Sequence, residues 1–119
     1  MTELEFLKQN VFNDATNLNK KAEKAEEYKF SEEDFSKVLE RAGYYGLSLY
    51  TVNTWAKNTS FGATNHEDHN KKASDKRWYL KAFNTFKHRQ EGLKYAATYK
   101  VPTKLLSRFT FPTIGAEEE

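Results

Sequence analysis

The feature that most constrains this chain is a duplication of short words along its length. Ala15-Thr16-Asn17 returns as Ala63-Thr64-Asn65, each closely following a phenylalanine, Phe12 or Phe61. Asn19-Lys20-Lys21-Ala22 returns as Asn70-Lys71-Lys72-Ala73, Tyr28 as Tyr79 and Phe35 as Phe86. Farther on, Leu39, Ala42 and Tyr45 align with Leu93, Ala96 and Tyr99, the offset growing from 48 to 51 to 54 residues. Self-similarity of this kind marks one supersecondary unit written more than once. The expectation is two copies, residues 12–57 and 61–111, followed by an acidic tail, residues 112–119, whose end from Ala116 to Glu119 is without order of its own.

Charge is distributed as unevenly as the words are. Residues 1–36 carry a net −4, residues 71–108 a net +9, and the chain as a whole only +2. Aromatic side chains interleave with the basic segment, a pattern that attracts polyanions, phosphate backbones foremost. Cysteine is absent, which excludes disulfide scaffolds, thiolate chemistry and cysteine-based zinc sites. No apolar run reaches the length of a membrane span, and the start, MTELEFLKQN, lacks the basic-then-apolar order of a signal peptide. A cytoplasmic protein with no membrane partner is expected.

Local signals predict helices. Ser31 to Asp34 reads as a capping box opening a helix over Glu32 to Ala42, with Phe35, Val38, Leu39 and Ala42 on one face. Gly43 and Gly46 bracket a break, and a second helix from Ser48 to Lys57 would bury Val52 and Trp55. Lys20 to Lys29, rich in Ala, Glu and Lys, is a helix-forming stretch. Ser74 can cap a helix with the apolar stripe Trp78 or Tyr79, Ala82, Phe83 and Phe86. Pro102 opens a last short helix, where its missing donor does least harm.

A helix-turn-helix needs a small residue where its helices cross, a tolerant residue in the turn, and apolar residues on the buried side of the second helix. In VLERAGYYGLSLYTVNTWAK, residues 38–57, Ala42, Gly46, Leu47, Val52 and Trp55 meet those demands in order. In GLKYAATYKVPTKLLSRFTF, residues 92–111, Ala96, Val101, Leu106 and Phe109 take the same places. Both stretches resemble the helix-turn-helix DNA-binding superfamily, with Arg41 and Lys100 as departures. The doubled architecture and the size resemble the TraN-type accessory DNA-binding proteins of Gram-positive conjugative plasmids. That resemblance implies two winged helix-turn-helix units related by internal pseudo-symmetry and bound to DNA near an origin of transfer.

The expected fold is therefore all-α with minor β wings, two tandem helix-turn-helix units forming an internal pseudo-dimer within a monomer. The expected partner is double-stranded DNA, read by the exposed faces of the two recognition helices. Ser48, Tyr50, Asn53, Thr54 and Lys57 form one such face, and Thr103, Lys104, Ser107 and Arg108 the other. Asn53 can read adenine and Arg108 guanine, while Tyr50, Lys57 and Lys104 suit phosphate. The alternative is a protein-binding module that turns its basic surface against a host factor. His66-Glu67-Asp68-His69 invites a metal reading but has no third ligand nearby, so a polar surface loop is expected there. No nucleophile-base set, phosphate loop or isolated carboxylate pair suggests catalysis, a cofactor or a small-molecule substrate.

Overall fold

The computed structural model describes residues 1–110, and side chains through Ser107. Its architecture is mixed α/β rather than all-α. The element order is α1 (Glu3–Asn10), α2 (Glu32–Tyr45), β1 (Ser48–Ala56), β2 (Thr59–Asn65), α3 (Lys76–Arg89), β3 (Lys94–Lys100) and α4 (Thr103–Thr110). Short 3-10 turns at Ala25–Glu27 and Glu67–His69 punctuate the long connections. The strands form one antiparallel sheet in the order β2-β1-β3.

α1 is not among the expected helices, and of the capping box expected at Ser31 the serine half forms. Thr2 and Glu5 close a capping box on α1, and the Ser31 hydroxyl accepts from the Asp34 N–H at 3.2 Å at the start of α2. Phe35, Val38, Leu39 and Ala42 are buried, as their spacing requires. The helix does not break at Gly43 but runs on to Tyr45 and stops at Gly46, whose left-handed conformation (φ 71°) lets its N–H and that of Leu47 reach back to Ala42. Asp75, rather than Ser74, caps α3.

The expected helix Ser48–Lys57 is instead the central strand of the sheet. Val52 and Trp55 are three apart and fit a helical face, but the segment is dominated by Thr, Tyr, Val and Trp, which favour a pleated surface. Alternation settles the backbone: Val52 and Thr54 point to the helices and are fully buried, while Thr51, Asn53 and Trp55 face away and keep some exposure. Trp55 therefore lies outside the core, with the Lys29 ammonium 4.2 Å from its ring centroid. The first helix of the second expected motif is likewise a strand. Ala96 and Ala97, good helix formers, pair with Asn53 and Val52. Lys20 to Lys29 is no α-helix either: the Asn17 and Asn19 side chains bond to backbone groups from Asn19 to Lys29 and hold the segment in turns.

Neither helix-turn-helix exists, and the duplicated words do not occupy equivalent places. Ala15-Thr16-Asn17 lies in a loop and Ala63-Thr64-Asn65 in β2; Phe35 opens α2, whereas Phe86 lies in the last turn of α3. No pseudo-dimer results, because β1 sits between β2 and β3 in a single sheet that spans both expected units. The minor β wings are replaced by a sheet that organises the molecule. The tail, 112–119, lies outside the described residues, as do the side chains of Arg108 and Phe109.

α2 and α3 cover one face of the sheet and run in opposite directions: Phe35 meets Phe83, while Gly43 faces Lys76 and Tyr79. Tyr95 of β3 sits between them, its ring stacked on Phe35 at 5.1 Å and edge-on to Phe83 at 5.0 Å. The segment around Phe30 lies along β3, exchanging backbone bonds of 2.8 Å with Tyr95, and α1 adds Phe6 and Leu7 to the same core. Among the described residues, no helix is long and apolar enough to cross a membrane.

Candidate nucleic-acid interface

The expected contact residues scatter over three parts of the molecule. Ser48 starts β1 opposite Lys100, and Lys57 occupies the β1–β2 turn with φ 59°, at the other end of a nine-residue strand about 30 Å long. Tyr50 is exposed, its ring 6.0 Å from that of His66. Asn53 lies half-buried on the sheet face away from the helices, between Ala63 and Ala96. Thr54 cannot meet a ligand at all: it is fully buried and its hydroxyl donates to the Gly62 carbonyl at 2.7 Å. Thr103, Lys104 and Ser107 are exposed on α4, the one expected reading helix that forms, but a strand and not a helix precedes it. Arg108 belongs to α4, and its side chain lies outside the described residues.

The basic segment gathers elsewhere, on α3. This helix contains no acidic residue, and its apolar stripe, Trp78, Tyr79, Ala82, Phe83 and Phe86, is buried against the sheet and α2. On a helix of 3.6 residues per turn the opposite stripe is Arg77, Lys81, Asn84 and His88, at steps of four, three and four, and all four are exposed. Leu80 stands beside them, 42% exposed. Lys71 and Lys72 flank the start of the helix and are exposed as well.

Of the two cations in this stripe, one is paired with a carboxylate and the other, among the described residues, is not. Among the described residues Lys71, Lys72, Lys81 and Arg89 have no ion-pair partner. Arg77 is the exception: its guanidinium donates to both Asp75 carboxylate oxygens, at 2.7 to 3.2 Å, while the Asp75 carboxylate also caps the helix at 3.0 Å. Those bonds, the guanidinium first, hold the Asp75 carboxyl down to about 2. The neighbouring stripe on α2, Glu33, Lys37, Glu40 and Tyr44, carries mixed charge and does not neutralise α3. The His88 Nδ1 lies 2.7 Å from the Asn84 carbonyl, so in the neutral ring this nitrogen carries the proton and Nε2 is left as an outward acceptor.

His66 and His69 do form the polar loop expected of them. Their rings pack against Trp78 at 6.3 and 5.6 Å, and the His66 Nδ1 lies 2.8 Å from the Lys71 carbonyl. Among the described residues no group of three potential metal ligands is present.

Small-residue spacing points to residues 38–57 and 92–111 and not to the outer stripe of α3. Its signal was present: once Trp78, Tyr79, Ala82, Phe83 and Phe86 define the buried side, 77, 81, 84 and 88 follow as the far side. Comparison of the chain with protein-family models, with curated proteins and with solved structures finds no match.

Proposed function

We propose that the protein binds double-stranded DNA, with α3 as the element that enters the major groove. The observation that carries this reading is the acid-free outer stripe Arg77, Lys81, Asn84 and His88 on a 14-residue helix. A helix with its side chains is about 10–12 Å across, and the major groove is about 12 Å wide. α3 packs its buried stripe against the sheet and α2, and its neutral polar centre, Asn84, is the side-chain type that pairs bidentately with adenine. Lys81 and the flanking Lys71 and Lys72 supply phosphate contacts, whereas Arg77 must first exchange Asp75 for a base or phosphate. This is a binding role without chemistry. The transfer-accessory role implied by the TraN-type resemblance depends on a doubled helix-turn-helix, for which the mixed α/β fold offers no support.

Anisotropy titrations of labelled duplexes at several salt concentrations test the proposal. Affinity should fall steeply with salt, and Lys81→Ala should lower the slope of log K against log salt by about one. Asn84→Ala should leave that slope unchanged while flattening base preference at one position by about 1–3 kcal/mol. Salt-insensitive binding, or full affinity in Lys81→Ala with loss in Lys57→Ala or Lys104→Ala, would remove α3 from the interface.

A further inference from the structure

β2 is the outer strand of the sheet, and part of its backbone has no partner. The His66 N–H donates to the Tyr50 carbonyl at 3.2 Å, which continues the β1–β2 ladder and sets the phase of the strand: residues 62, 64 and 66 turn their backbone groups toward β1. Residues 63 and 65 turn theirs outward. The Asp68 carboxylate takes the outward Asn65 N–H at 3.1 Å, and the Thr64 hydroxyl at 3.1 Å. The Ala63 N–H and C=O and the Asn65 C=O remain without partners among the described residues. Exposed edges are usually blunted by charge, proline, bulges or a covering loop; Thr59–Asn65, TSFGATN, contains no charge or proline, and its protection is limited to the irregular register between Gly62 and Ser60 and to the Asp68 carboxylate on Asn65.

Beside that edge lies a groove. Ala63 and Thr64 form one wall and Ala82, Thr85, Phe86 and Arg89 of α3 the other. Asp68 and His69 also line it, and Arg89 has no ion-pair partner among the described residues. An adjoining cleft that shares Asp68 and His69 continues past Lys71 and Lys81, also unpaired. Asp68 is the acid at the junction, and its carboxylate is already engaged by Asn65 and Thr64.

We propose that this edge binds an extended peptide as an added strand, with acidic side chains toward Arg89 and Lys81 and a small apolar side chain over Ala82 and Phe86. Strand addition takes its affinity from main-chain bonds and its selectivity from alternate side chains. Charge complementarity selects the occupant. A second copy of this chain would bring two basic α3 flanks, Arg89 and Lys81 of each, against one another, whereas an acidic strand neutralises them. The inference shares Lys81 with the DNA reading but rests on the β2 edge and on Arg89, neither of which that reading uses.

The test uses a labelled, end-capped peptide of alternating valine and glutamate and its valine-lysine counterpart. The glutamate peptide should bind and the lysine peptide should not. N-methylation along one edge of the glutamate peptide should remove binding without any change to the protein. Ala63→Pro should weaken binding about tenfold or more by deleting the outward N–H, and it is compatible with the fold because proline is accepted where an edge N–H faces solvent. Arg89→Glu should reverse the preference between the two peptides. The proposal is overturned if the glutamate peptide fails to bind, or if its binding survives both N-methylation and Ala63→Pro. It is equally overturned if sedimentation shows a dimer that Ala63→Pro dissolves, which would give the edge to a second copy, or if Ala63→Pro weakens duplex DNA binding instead.

Discussion

Tyr95 shows how much of this core is decided by single side chains. Its ring is stacked between α2 and α3, but its hydroxyl, like those of Tyr79 and Tyr99, is buried without a hydrogen-bond partner among the described residues. Leaving a buried hydroxyl unpaired costs about 1–3 kcal/mol, while the ring supplies most of the packing. Tyr95→Phe should therefore stabilise the protein by about 1 kcal/mol in denaturant titration; a loss of stability would mean that the hydroxyl has a partner. Thr54 is the opposite case. Its hydroxyl is buried but bonded to the Gly62 carbonyl, so Thr54→Val, which keeps the shape, should cost about 1 kcal/mol. Burial of this kind is not legible in a sequence, where Thr54 counts as polar and was expected at a ligand.

At the scale of elements, the stop of α2 and the approach of β2 to α3 each rest on a glycine, for different reasons. Gly46 has φ 71° with open space around it, so the cost of a side chain there is conformational. Gly46→Ala should destabilise by about 1 kcal/mol, and Gly46→Asn by less, because asparagine tolerates the left-handed region. Gly62 has no such backbone requirement, but a Cβ there would meet the Phe86 ring at 3.0 Å. Gly62→Ala should force the ring to shift, and Phe86→Leu in the same chain should recover part of the loss; equal losses with and without that change would separate the two sites. The amphipathic stripes of α2 and α3 and the Ser31 cap of α2 were legible because the signal is local and repeated, whereas the cap of α3 fell one residue from the expected Ser74. β1 and β3 were not, because their few apolar residues fit a period of 3.6 as well as one of 2, and pairing between Val52 and Ala97 is contact across 45 positions that no local pattern encodes. The candidate site suffered through the same error: with Ser48–Lys57 taken as a reading helix, the polar face of α3 was passed over.

For the whole molecule, one sheet and one helical layer make the buried tyrosines a test of cooperativity. Burial raises the Tyr79 and Tyr95 hydroxyls to about 12, with smaller contributions from the charges of Asp75 and Glu32, and burial alone pushes Tyr99 up further. In the unfolded chain the same groups ionise near the usual 10.0. Above that pH the unfolded state holds fewer protons than the folded one, so stability, intact below about 10, falls as pH rises toward 12. Tyr79 and Tyr95 belong to the core shared by α2, α3 and the sheet, and Tyr99 packs against it beside Phe12, so ionisation of the first two requires that layer to open. Tyrosinate absorbance from these residues should therefore rise together with loss of helical circular dichroism, and Tyr79→Phe should move that transition to higher pH. Gradual ionisation of all seven tyrosines with the dichroism intact would mean that the core opens locally, without unfolding, and that the layer does not behave as one body.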